Sequence, residues 1–155
     1  MDEVDEKMEA LRLAGGVLNS ILEGLEEVDS ETRQRIMERC GEACAMATVD
    51  FETAREIAGE STDEEEILRR LNEEIPWCGA WTREGDVVGS TCIRCGCPLV
   101  RSGAVDLRGT LCLCSRGWVK KVFETLFKRP VDVDLEKAIG LGDEVCKFVV
   151  HLGAD

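Results

Sequence analysis

The stretch VDVDLEKAIGLGDEVCKFVVHL, residues 131–152, decides the fold of this chain. Residues 131–135 alternate strictly between apolar and acidic side chains, which is typical of a half-buried β-strand. Glycines at positions 140 and 142, followed by Asp143, supply a turn. Residues 145–152 then return as a second strand, whose alternation places four apolar side chains on one face: Cys146, Phe148, Val150 and Leu152. We therefore predict an antiparallel hairpin at this end of the sequence.

Two more strands and one helix are predicted upstream of the hairpin. Pro76 ends a helical region, and residues 77–83 and 86–95 have the composition of strands on either side of Glu84-Gly85. Residues 99–109 are loop-like, and residues 111–114 form either a short strand or an extended entry into a helix. Ser115 is the expected cap of that helix, which continues to residue 128 before Pro130 stops it.

The first half of the chain is predicted to be helical. Apolar residues recur at helical spacing, and the predicted helices cover residues 2–14, 17–28, 31–48, 51–58 and 63–74. Gly15-Gly16 interrupts the first pair, Ser30 caps the third, and Thr62 with Glu65 forms a capping box for the last. We expect one α+β domain over residues 1–155. Residues 1–29 form a helical extension, and residues 30–155 form a core of helices packed on an antiparallel sheet with one crossing helix.

The composition and net charge argue against some classes of partner and indicate a cellular compartment. The chain has 155 residues and a formal net charge of -13, so its surface repels nucleic-acid phosphates and anionic membranes. The sequence shows neither a segment like a signal peptide nor an apolar run that could span a bilayer. We therefore expect a cytoplasmic protein with reduced cysteines, no nucleic-acid partner and no membrane partner. A small-molecule ligand and a homodimer remain open.

The cysteines indicate a thiol-rich site. Six of the nine fall in short clusters in which the side chains are predicted to point the same way, four apart on a helix or two apart in extended chain. Four converged thiolates suit either zinc or an iron–sulfur cluster. We predict a metal site, with zinc or an iron–sulfur cluster as cofactor, that draws on Cys40, Cys44, Cys95, Cys97, Cys112 and Cys114. A metal-free thiol site is the alternative.

The other candidate residues have weaker patterns. Cys78 and Cys146 are interpreted as small buried packing residues, and Cys92 is left undecided. A redox dithiol made of Cys112 and Cys114 is a third hypothesis for the cluster. His151, the single histidine, has no predicted cysteine partner. Four arginines near the cysteines in sequence could lower thiol pKa values or bind a carboxylate: Arg94, Arg101, Arg108 and Arg116.

Several motifs resemble a known group of proteins. Residues 115–152 contain Ser-Arg-Gly-Trp-Val-Lys-Lys, Phe-Glu-x-Leu-Phe, Pro-Val-Asp-Val and Gly-Asp-x-x-Cys-x-Phe, and upstream are Arg-Cys-Gly-Glu-Ala-Cys-Ala (residues 39–45), Cys-Pro-Leu (97–99) and Cys-x-Cys-Ser (112–115). This pattern, over most of residues 31–152, resembles proteins described as L-2-amino-thiazoline-4-carboxylic acid hydrolase-like. Those are similar to the 4-vinyl-reductase domain, a small-molecule-binding α+β module, so the resemblance implies a 4-vinyl-reductase-like fold.

The resemblance does not supply a metal site. Sensor proteins with the 4-vinyl-reductase domain can hold zinc through a glutamate and a cysteine that precede the final cysteine. In this sequence those two positions are Leu135 and Ala138, so any metal here needs the other cysteine clusters.

The cysteine clusters and the family resemblance together leave two candidate functions. The first is a cysteine-rich module that binds a metal or a small molecule in a sensing, carrier or accessory role. The second is a small hydrolase of a thiazoline-like cyclic substrate, with Cys97 or Cys112 as nucleophile or with a metal-activated water. Whether the chain is an enzyme is therefore left open.

Overall fold

The computed structural model describes residues 2–153. Its helices are α1 (Glu3–Leu25), α2 (Ser30–Met46), α3 (Val49–Glu60), α4 (Glu64–Glu74), α5 (Pro98–Arg101) and α6 (Gly109–Phe127), with a 3₁₀ turn at Ile139–Leu141. Its strands are β1 (Thr82–Glu84), β2 (Val87–Cys92), β3 (Asp132–Lys137) and β4 (Cys146–His151). None of the helices within these residues is long and apolar enough to cross a membrane.

The predicted α+β class is confirmed. The four strands form one antiparallel sheet in the order β1-β2-β4-β3, and β3 and β4 are the hairpin expected from residues 131–152. Along β4 the residues Phe148 and Val150 are buried, followed by Leu152 just past the strand, while Cys146 is half-buried at its start. The alternation therefore identified the core face of this strand correctly.

The apolar residues form two cores. The larger core lies between the sheet and helices α3, α4 and α6, and it contains Trp81, Phe123 and Phe148. The smaller core joins α1 and α2 to the start of α6 and to the chain just before it, through Leu22, Met37, Val105 and Leu111. Helix α6 contributes to both cores and so connects the two parts of the domain.

Helix α1 is continuous, so the predicted break at Gly15-Gly16 is wrong. Gly15 is buried, and a Cβ there would lie 2.0 Å from the Ala104 carbonyl oxygen. The glycine therefore permits a close approach between α1 and the chain before α6, rather than ending the helix. Every residue from 2 to 14 is exposed, so the first half of α1 projects from the domain.

Other predicted boundaries also move. The caps are Asp29 for α2 and Asp63 for α4, whose carboxylates accept backbone hydrogen bonds from Thr32 at 2.9 Å and from Glu65 at 3.0 Å. Of predicted strand 77–83 only the last part pairs as β1, because the backbone N–H and C=O of Trp81 hydrogen-bond to the Asn72 side chain rather than to a strand. The predicted loop 99–109 begins within α5, and α6 begins six residues before Ser115.

Candidate functional site

Seven of the nine cysteines carry free thiols, and these come from four separate segments. They are Cys40 and Cys44 on α2, Cys95 and Cys97 in the loop before α5, Cys112 and Cys114 on α6, and Cys146 at the start of β4. All six predicted metal ligands are among them.

The remaining two cysteines, Cys78 and Cys92, form a disulfide with a Cα–Cα distance of 5.0 Å. Two predictions are thereby corrected: Cys78 is not simply a packing residue, and the cysteines are not all reduced. The cause is the β1–β2 register, which pairs Thr82 with Gly89 and, continued backwards, brings the chain at Cys78 beside the end of β2.

Two glycines bring α2 and α6 into backbone contact. A Cβ on Gly41 would lie 1.9 Å from the Cys114 carbonyl oxygen, and a Cβ on Gly117 would lie 2.0 Å from the Glu38 carbonyl oxygen. The buried stripe of α2 is therefore Met37, Gly41 and Ala45. Cys40 and Cys44 are consequently exposed beside this contact.

The early start of α6 overturns the prediction that Cys112 and Cys114 share a face. Two residues along a helix are separated by about 200° of rotation, so these side chains point to opposite sides. Cys112 points towards the 3₁₀ turn, where a Cβ on Gly140 would lie 2.5 Å from its Sγ atom. Cys114 lies against α2, where the charges of Cys40 and Cys44 act on its thiol. A redox dithiol formed by this pair therefore has no geometric basis.

The free thiols divide into two groups that share Cys97. In the first, which we call the helix group, Cys97 acts electrostatically on both Cys44 and Cys114, and Cys40 and Cys44 also act on Cys114. In the second, the strand group, Cys97 and Cys146 act on both Cys95 and Cys112, and Cys95 also acts on Cys112. The opposite directions of Cys112 and Cys114 account for most of this division, and the charge of Cys112 has the smallest of the effects on Cys114.

Burial keeps several of these thiols protonated. Desolvation is the main cause that raises the pKa of Cys44 and Cys95, that of Cys112 to about 11 and that of Cys114 to about 12. Neighbouring thiolate charges raise the same pKa values further, whereas a backbone hydrogen bond from Gly140 acts in the opposite direction on Cys112. At neutral pH these groups are therefore weak nucleophiles, and a bound cation would be needed to hold them as thiolates.

The histidine lies apart from the thiols, and two of the arginines are held near glutamates. His151 is at the opposite end of β4 from Cys146, five residues or about 16 Å along the strand, and its Nε2 is 2.8 Å from Asp134 Oδ2. Arg116 pairs with Glu38 at 3.2 Å, and Arg108 lies 3.5 Å from Glu26. Burial is the largest effect on the pKa of Cys95 and raises it, and the charge of Arg101 acts in the opposite direction.

Within residues 2–153 no three side chains of His, Cys, Asp or Glu are grouped as a ready-made metal site. The helix group therefore needs side-chain movement before its sulfur atoms could share one ion. Sequence reasoning missed the role of the contact glycines, although a glycine inside a helical pattern is a known signal of close packing. It also missed Cys146, whose apolar strand position resembles that of any core residue.

A family profile matches residues 14–153 and is described as a family of unknown function, DUF6144. The chain belongs to this family. The matched region contains all nine cysteines and every strand, and it leaves out the projecting first half of α1. No curated protein matches the chain.

Proposed function

We propose that the chain is a metal-binding module in which Cys44, Cys97 and Cys114 are ligands and Cys40 is the fourth. The observation that carries this proposal is the backbone contact of α2 with α6 at Gly41, which brings Cys40 and Cys44 of α2 beside Cys114 of α6. In addition, the charge of Cys97, from the loop before α5, acts on both Cys44 and Cys114. Four thiolates complete a tetrahedral zinc site or hold an iron–sulfur cluster. The proposed ligands are four of the six cysteines that the sequence pattern predicted for a metal site; Cys95 and Cys112 belong to the strand group instead.

The electrostatics support a soft cation more than a nucleophilic thiol. Neighbouring thiols that repel one another as anions gain most from a shared positive ion, which replaces their protons. A hydrolase acting through Cys112 gains little support, because its pKa is raised to about 11 and the single histidine lies at the other end of β4. Three expectations from the sequence remain predictions: the carrier, sensor or accessory role, a small-molecule ligand, and the resemblance to thiazoline hydrolase-like proteins. The cytoplasmic compartment also remains a prediction.

Metal analysis and an optical spectrum of anaerobically purified protein test the proposal. We expect about one zinc ion or one cluster per chain, lost in Cys114→Ser and retained in the matched variant Cys146→Ser, which changes only the strand group. Less than about 0.1 metal per chain after anaerobic reconstitution, with seven thiols still reactive, would refute it. Loss of metal in Cys146→Ser but not in Cys114→Ser would move the site to the strand group.

A further inference from the structure

A third cysteine lies beside the disulfide. In the antiparallel pairing of β2 with β4, Cys92 is directly opposite Cys146. Directly opposite residues point to the same face of a sheet, with Cβ atoms about 4.5–5.5 Å apart. The free Cys146 thiol is therefore next to the sulfur of Cys92, which is bonded to Cys78.

The surroundings of the three sulfur atoms agree with this placement. Cys92 belongs to the larger core with 1% of its surface exposed, and Cys78 and Cys146 both pack against that core. The backbone N–H of Ile139 donates a hydrogen bond to Cys146 Sγ at 3.4 Å. This hydrogen bond holds the Cys146 sulfur in place at the start of β4.

We propose that Cys78, Cys92 and Cys146 form a thiol–disulfide exchange site. The Cys146 thiolate attacks Cys92 Sγ, a Cys92–Cys146 bond forms, and the Cys78–Cys92 bond breaks with its electron pair leaving on Cys78. The proton given up by Cys146 balances the one taken up by Cys78, so the step needs neither an oxidant nor a reductant. The number of free thiols stays at seven.

The exchange changes which thiol is free and where. A Cβ on Gly96 would lie 3.6 Å from Cys78 Sγ, so the loop that carries Cys95 and Cys97 passes over Cys78. Release of Cys78 therefore supplies a thiol beside this loop, while Cys146 leaves the strand group. A dithiol or disulfide reagent that reacts at these three cysteines would therefore change which cysteine is free in the strand group and which is free beside the loop.

The Cys78→Ser variant tests the inference, since it leaves Cys92 without its present partner. Metal-free protein is equilibrated in a glutathione redox buffer, alkylated and digested with trypsin. Cleavage after Arg94 separates Cys92, in peptide 84–94, from Cys95, in peptide 95–101. Peptide 138–147 contains Cys146. We expect a disulfide between peptide 84–94 and peptide 138–147 in more than half of the chains, and no such disulfide in Cys78→Ser/Cys146→Ser.

Two outcomes would overturn the inference: a link between Cys92 and Cys95, or a Cys92 that stays free while Cys146 is also free. If Cys78→Ser does not fold, the same digest is applied to the wild type after partial reduction with a limiting dithiol. There, the Cys92–Cys146 link is expected beside the original one, and its absence contradicts the proposal. Because no metal is present, the result is independent of the proposed metal site.

Discussion

The contact between α2 and α6 depends on Gly41, so Gly41→Ala should both destabilise the domain and disturb the thiol groups. The new Cβ would lie 1.9 Å from the Cys114 carbonyl oxygen, whereas ordinary contacts begin at 3.4 Å. The two helices would therefore have to separate locally by about 1.5 Å. The obstacle is backbone, which cannot turn aside as a side chain can.

The expected change in the free energy of unfolding of Gly41→Ala is the balance of two opposing effects. Overpacking of this kind costs about 3 kcal/mol, at the upper end of its usual range. Replacing a helical glycine by alanine returns about 1 kcal/mol of helix propensity. We therefore expect a net loss of about 2 kcal/mol in the free energy of unfolding.

Urea unfolding followed by far-UV circular dichroism measures this difference. Gly16→Ala is the matched control, because a Cβ at this position of α1 meets nothing within 4 Å. The control should gain up to about 1 kcal/mol. A Gly41→Ala protein that is as stable as this control would refute the close helix contact.

Three further predictions concern other parts of the molecule. Metal-free protein should lose stability as pH rises from 9 to about 12, because folded Cys112 and Cys114 keep protons that an unfolded thiol of pKa 9.0 releases. Cys114→Ser should show a smaller loss in urea midpoints over the same range, and an equal loss would contradict the burial of this thiol. Deleting residues 2–13, which are exposed, should change the free energy of unfolding by less than about 0.5 kcal/mol in the same assay, and a larger loss would show that they pack. Glu64 lies 2.7 Å from Arg83 and 2.6 Å from Arg129, and hydrogen bonding to Arg129 is the main cause that lowers its pKa. Glu64→Gln should lower the free energy of unfolding by about 1 kcal/mol at neutral pH. The difference from the wild type should disappear as the pH falls below the ordinary glutamate range. An unchanged difference at low pH would count against the ion pairs.

The sequence predicted the sheet best where one local pattern determined it. The alternation of residues 131–135 and 145–152 identified the hairpin and its core face, because strand periodicity reports burial directly. The prediction from sequence failed at α6, because the short apolar run 111–114 fits either a strand or a helix. The spacing of seven residues from Leu111 to Trp118, followed by Val122, is the helical signal that extends the helix back to Gly109.

That one error changed the predicted site. Extended chain would have placed Cys112 and Cys114 together, whereas the helix turns them towards different groups. The disulfide and the position of Cys146 depend on strand register between residues far apart in sequence. Register of that kind is a tertiary property, which spacing within one segment cannot reveal.

A cobalt(II) titration of the reduced, anaerobic protein tests the central claim most directly, because thiolate ligands give cobalt an intense sulfur-to-metal absorption. The account predicts a saturable band in the wild type and in Cys146→Ser, and its loss in Cys44→Ser, Cys97→Ser and Cys114→Ser. The three losses would correspond to the three segments that contribute thiols to the helix group. An unchanged spectrum on adding cobalt to folded wild-type protein, with the thiols of the helix group still open to alkylation, would contradict the account.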